Sequence, residues 1–169
     1  MSKMKTLLLM RHAKSDWDDQ TLVDHERPLN NRGEKDAPKM GKHLVELGLI
    51  PDLILCSTAV RAKMTAEAVA IETGYDRDKI VFHSGLYLPR VDTMLDITEE
   101  LPAEKNTVLI VSHNPGISQF LERLAGNYLN VPEIPTCAVA RLELYTGWDQ
   151  SGPGAFILKT ILTPKKDLK

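Results

Sequence analysis

Aromatic residues make up only 5% of this 169-residue chain, and neither charge sign dominates, with 21 Lys and Arg against 23 Asp and Glu. A chain without a basic stripe or interleaved aromatics offers nucleic acid neither a counter-charge nor a stacking platform, so that partner class is set aside. Cysteine is scarce too. Cys56 and Cys137 form no metal-type spacing and are too few for a disulfide framework, which points to a reducing, cytoplasmic setting. No apolar run approaches the roughly 20 residues of a membrane span. The N-terminal "MSKMKTLLLM" has two lysines but no long apolar region and no small-residue cleavage site, so it reads as a first strand. Repeats and Gly- or Ser-rich linkers are missing, and a single domain over residues 1–169 is expected. The acids Asp16, Asp18, Asp19 and Asp24 lack the glycine and terminal glutamate of a calcium loop, so a solvated loop and no metal are expected there.

What is present alternates between strand and helix patterns. Thr6 to Met10 is a short continuous apolar run, as in a strand buried on both faces. In "RPLNNRGE", Asn31 and Glu34 resemble a capping box, opening a helix with Ala37, Met40, Leu44 and Leu47 on one side and Gly48 as its stop. "DLILCS" (52–57) reads as a strand. A helix over about 59–73 follows, with Val60, Met64, Ala68 and Ile71 at helical spacing and Gly74 ending it. "KIVFH" (79–83) is a third strand, and Asp92 caps a helix that Pro102 ends. "TVLIVSH" (107–113) is the clearest strand. Asn114 and Pro115 then look like N-cap and first helical residue, ahead of Ile117, Phe120, Leu121 and Leu124 on one face. "CAVARLELY" and "GAFILKTIL" close the chain as two strands, with "TPKKDLK" a solvated basic tail. This order predicts an α/β protein with helices on both faces of a mostly parallel sheet, and a site beyond the carboxyl ends of its strands.

Those carboxyl ends carry a coherent set of side chains. The first strand delivers Arg11 and His12. The second delivers Ser57 and, one helical turn on, Arg61. The fourth delivers His113, followed by Asn114. Taken singly, each has an ordinary explanation: an exposed helix arginine, a satisfied strand-end histidine, loop decoration. Together they match one chemistry. Guanidinium groups fork onto phosphate oxygens and keep their charge. Imidazole, with an unperturbed pKa near 6.5, is a nucleophile at neutral pH. These are the parts for phosphoryl transfer through a phosphohistidine, with arginines rather than a metal supplying positive charge.

"LMRHAKS", "STAVRAKMTAEAV" and "VSHNPGI", in this order from about Leu7 to Gly126, resemble the signature segments of the histidine phosphatase superfamily. The short length and "RPLNNRGE" resemble its small SixA-type phosphohistidine phosphatases. The resemblance implies a phosphoglycerate mutase-like three-layer α/β/α sandwich, with His12 as the phosphorylated nucleophile, Arg11 and Arg61 binding the phosphoryl group and His113 hydrogen-bonded to it. Arg27 matches an arginine near the pocket in that branch, and Asp24, three residues earlier, matches a candidate acid. Two departures stand out. Ala13 replaces the usual glycine after the Arg-His pair, which requires negative φ there or strain. Leu86, Tyr87 and Leu88 supply no carboxylate where sugar-phosphate members place one. Asp92 is the nearest acid.

The expected reaction is two in-line steps. His12 attacks phosphorus, its other ring nitrogen donating to a backbone carbonyl; water then hydrolyses the intermediate. Phosphohistidine on a protein is the expected substrate, because imidazole leaves more easily than an alkoxide and needs less acid help. A small-molecule phosphate ester, with Asp24 or Asp92 as acid, is the rival, and a non-catalytic phosphate-binding module is a third. Ser57 and Asn114 are expected to assist in binding. No cofactor and no membrane partner is expected.

Overall fold

The computed structural model describes residues 4–127 and 130–168. Six strands form one sheet: β1 (Lys5–Arg11), β2 (Leu53–Cys56), β3 (Val81–Phe82), β4 (Thr107–Ser112), β5 (Val139–Leu144) and β6 (Ile157–Leu162). Their order is β3-β2-β4-β1-β5-β6. The β3, β2, β4 and β1 strands run parallel, whereas β5 is antiparallel to both β1 and β6. Helices α1 (Asn31–Glu46), α2 (Val60–Thr73), α3 (Val91–Glu99) and α4 (Gly116–Leu124) cover the faces, and a short α5 (Pro164–Asp167) follows β6.

The layers follow from side-chain alternation along the apolar strands. Leu7 and Leu9 of β1 pack with Met94 of α3 and with Ile117, Phe120 and Leu124 of α4. Leu8 and Met10 point to the opposite face, against Met40 and Leu44 of α1 and Ala62, Ala66 and Val69 of α2. The result is the expected α/β/α sandwich with a mixed, mostly parallel sheet.

Several local expectations are corrected. Asn30, not Asn31, caps α1: its side chain accepts from the Gly33 amide. Leu47 lies beyond the helix and is exposed, while Gly48 adopts positive φ as the stop. The buried face of α2 holds Arg61, Ala62, Thr65, Ala66, Val69, Ala70 and Thr73, one or two positions on from Val60, Met64, Ala68 and Ile71. Gly41 of α1 lies so close to Val69 and Glu72 that a side chain would collide, so this crossing selects small residues. Strand β3 has two exposed residues at the sheet edge, fewer than "KIVFH" implies. Arg90 occupies the N-cap of α3, and Asp92 lies within its first turn. Pro115 is the N-cap residue of α4, after a cis Asn114–Pro115 bond, and the helix starts at Gly116. The basic tail is not simply solvated: Thr163 caps α5 and Leu168 packs on the α1–α2 layer. Among the described residues, no helix is long and apolar enough to cross a membrane.

Candidate active site

β1 lies between β4 and β5, so Arg11 and His12 emerge near the middle of the sheet's carboxyl edge. The turn that follows is held from three sides. The Ala13 amide donates to Thr65 Oγ1 (3.0 Å), and that hydroxyl donates to Arg61 O (2.8 Å), tying the turn to α2. The Cys137 amide lies 3.1 Å from both Arg11 O and His12 O. A Cβ on Gly33 would fall 2.3 Å from Lys14 O, so α1 can approach the turn only with glycine there. Leu88 and Cys137 are the non-glycine residues with positive φ among the described residues, so Ala13 sits at negative φ and the methyl group is accommodated.

His12 is buried and its tautomer follows from its partner. Nδ1 lies 2.7 Å from Ala13 O, and a carbonyl only accepts, so Nδ1 carries the proton. The lone pair is therefore on Nε2, toward which Arg61 Nε donates at 3.4 Å. Burial, followed by the positive charges of Arg61 and Arg11, lowers the His12 pKa to about 4, against the opposing effect of the Ala13 carbonyl. The ring is thus neutral at physiological pH. His113 is 5.1 Å away, centroid to centroid. Burial, His12 and Arg61 lower its pKa to about 3. Its Nε2 is 2.6 Å from Ser57 Oγ, which accepts from the Ala59 amide, while its Nδ1 is buried without a hydrogen-bond partner.

Arg61 is buried in the first turn of α2 and uses all three nitrogens. Nη1 donates to Asp24 O (2.7 Å), Nη2 to Asp24 Oδ2 (3.0 Å) and Nε toward His12. Asp24 Oδ2 also accepts from the Tyr87 hydroxyl at 2.7 Å. Burial pushes the Asp24 carboxyl upward, but hydrogen bonds from Tyr87 and Arg61, with Arg61's charge, outweigh it and the net shift is downward. Arg11 donates through Nη1 to Ile134 O (3.2 Å), and its Nε is buried without a partner.

A cleft of about 320 Å³ opens here, lined by Arg11, His12, Asp24, Arg61, Lys14, Ser15, Trp17, Leu88, Asn114 and Thr136. Arg11, His12, Asp24 and Arg61 therefore converge on it, with His113 and Ser57 packed behind. Asn114 is at the wall, but its side chain is engaged with Ile134 O, Glu133 and Ser118. Arg27 is set back from the cleft. It donates to Asp19 O and Leu22 O and stacks over Trp17 at 4.1 Å, so it shapes the 15–27 loop. Asp92 is not among the cleft residues. The described residues contain no cluster of metal-ligating side chains.

Thr65, Tyr87 and the Cys137 amide are site groups outside the signature segments' expected roles. Thr65 has a faint sequence signal, a hydroxyl one helical turn after Arg61. Tyr87 stands where a carboxylate is expected and contributes a hydroxyl instead.

The model of the histidine phosphatase superfamily (branch 1) matches residues 7–86. An uncharacterised chloroplastic protein of Arabidopsis thaliana is 30% identical, over 97% of this chain and 80% of its own length. Among solved structures, a candidate SixA phosphohistidine phosphatase of Agrobacterium tumefaciens is 29% identical with a TM-score of 0.78, covering 95% of this chain and 99% of that one. The protein histidine phosphatase SixA complexed with tungstate shares the fold at a TM-score of 0.84 and 23% identity, over 97% of this chain and 99% of that one.

Proposed function

This chain belongs to the histidine phosphatase superfamily, in its small SixA-type branch, and from that premise we propose a metal-independent phosphatase that works through a phosphohistidine on His12. The observation that carries the reading is the His12 tautomer. With Nδ1–H fixed on Ala13 O, the neutral ring presents its Nε2 lone pair beside the Arg61 guanidinium. In the first step Nε2 bonds to phosphorus as the leaving group departs with its electron pair. Arg11 and Arg61 bind the equatorial oxygens and offset their charge, and His113, neutral and 5.1 Å from the His12 ring, is expected to add a hydrogen bond. Water then attacks phosphorus, and His12 leaves as the neutral imidazole. The test is acid-quenched enzyme after brief exposure to labelled substrate. The wild type should carry acid-labile phosphate, and His12→Ala none. Label retained in His12→Ala would overturn the assignment.

Phosphohistidine on a protein is the substrate we favour. The cleft is bordered by exposed Trp17 and Leu88, a mouth open to a protein-borne side chain. In the empty cleft Asp24 is paired with Arg61 and held ionised, and imidazole needs less acid help to leave than an alkoxide does. A small phosphate ester is the second reading, and the specific observation behind it is that Asp24 lines the same cleft. A hydrolysis panel of phosphohistidine protein, phosphoserine peptide and sugar phosphates separates the two. The buried, unpaired thiols of Cys56 and Cys137 fit a reducing cytoplasm.

A further inference from the structure

Arg61 carries two loads. Its Nε and Nη2 form one edge of the guanidinium, the edge a phosphoryl group would take with two parallel hydrogen bonds. In this structure Nε faces His12 and Nη2 holds Asp24 Oδ2. A phosphoryl group bound at His12 would compete for that edge. With Nη2 turned to it, Asp24 would keep one anchor to Arg61, the Nη1 bond to its backbone carbonyl.

Tyr87 is placed to hold it. Its hydroxyl reaches the same Oδ2 at 2.7 Å. The ring stands edge-on between two imidazoles, 4.8 Å from His25 and 5.4 Å from His113. The backbone beneath is pinned where Ser112 Oγ donates to Leu86 O, and the next residue, Leu88, takes a left-handed φ of 45°. Such backbone persists where surrounding structure over-determines it. Asp24 Oδ1 has no hydrogen-bond partner among the described residues, in a residue that lines the cleft.

We propose that Tyr87 is a positioning residue, whose hydroxyl keeps the Asp24 carboxyl at the cleft when Arg61 turns to the phosphoryl oxygens, so that Asp24 carries the leaving-group proton. This rests on the phosphatase reading above. The groups facing Asp24 are Arg61 of α2, Tyr87 before α3, His12 after β1, His113 after β4, and neighbouring His25. Bringing in a dianion while diverting Arg61 favours the protonated carboxyl. In the first step the P–O or P–N bond breaks as His12 Nε2 bonds to phosphorus, and the Asp24 proton passes to the departing atom. In the second, Asp24 takes a proton from the attacking water and is restored.

Tungstate, an oxyanion of fixed charge near neutral pH, is the binding probe. Calorimetry in buffers of different ionisation enthalpy should show uptake of about one proton by the wild type and almost none by Asp24→Asn. Tyr87→Phe should bind tungstate within about twofold of wild type, which also reports an intact fold, yet lose roughly tenfold in kcat on a phosphate ester with KM little changed. Its basic kcat limb should move to higher pH by about one unit, since the lost hydrogen bond favoured the ionised carboxyl. Unchanged kcat and pH profile in Tyr87→Phe would reduce Tyr87 to packing, and uptake persisting in Asp24→Asn would place the proton on a histidine. Either result overturns the inference and leaves the phosphatase reading standing. Failure of the wild type to bind tungstate would remove both.

Discussion

At the scale of single residues, the cleft couples chemistry to stability through two histidines held neutral. His12 titrates at about 4 and His113 at about 3, both below an unfolded histidine. Between those values and about 6.5 the unfolded chain binds the extra protons, so stability is full above that range and is lost as pH falls through it. For His12 alone, acidification from pH 7 to 5 should cost roughly 2 kcal/mol. Denaturant titrations at the two pH values measure the combined effect of both rings, and His12→Gln should remove about half of the difference and leave His113's share; a wild type equally stable at both would contradict the burial of neutral rings. Arg61→Ala should lower kcat by about 10²–10³, more than it changes KM, because a donor to the developing phosphoryl charge is lost. A pure KM effect would make Arg61 only an anion attractor.

At the scale of elements, the approach of α1 to the His12 turn is the sensitive junction. Removing the cap in Asn30→Ala should cost about 1 kcal/mol, with little change in kcat. Gly33→Ala should do more. Its new methyl group meets the Lys14 carbonyl, displacing the turn that carries His12, so activity and thermal midpoint should fall together. If Gly33→Ala retains full activity, α1 can move away without disturbing the turn. The same region shows what a sequence hides. Strand β1, the α4 face and the signature side chains were legible, because apolar periodicity and strand-end chemistry agree there. The buried face of α2 was not. It carries Arg61 and Thr65 toward the site and alanines toward α1, so of its large apolar residues Ile71 is exposed and Met64 is only partly buried. A helix that serves a polar site and a close crossing has little hydrophobic contrast to read. Arg27 differs: its match lies in sequence, and in the structure its hydrogen bonds go to the loop.

At the scale of the molecule, two arginines and two neutral imidazoles gather at one sheet edge, so turnover should survive exhaustive chelation. Loss of activity that added Mg²⁺ or Zn²⁺ restores would show that a metal shares the charge. The matched family segment, residues 7–86, brings His12, Arg61 and Asp24, but His113 and the Cys137 amide come from the remaining chain. Sheet order makes that division consequential. β1, made before the other strands of this sheet, is flanked by β4 and β5, which are translated about a hundred residues or more later and make its hydrogen bonds. The nascent chain must carry the buried Leu7–Met10 run unpaired until those two strands have emerged. Stalled chains ending before residue 107 should remain protease-sensitive at β1 and recruit holding chaperones, with protection arriving only once β5 has emerged. The reaction edge is therefore assembled last, although its nucleophile is made first.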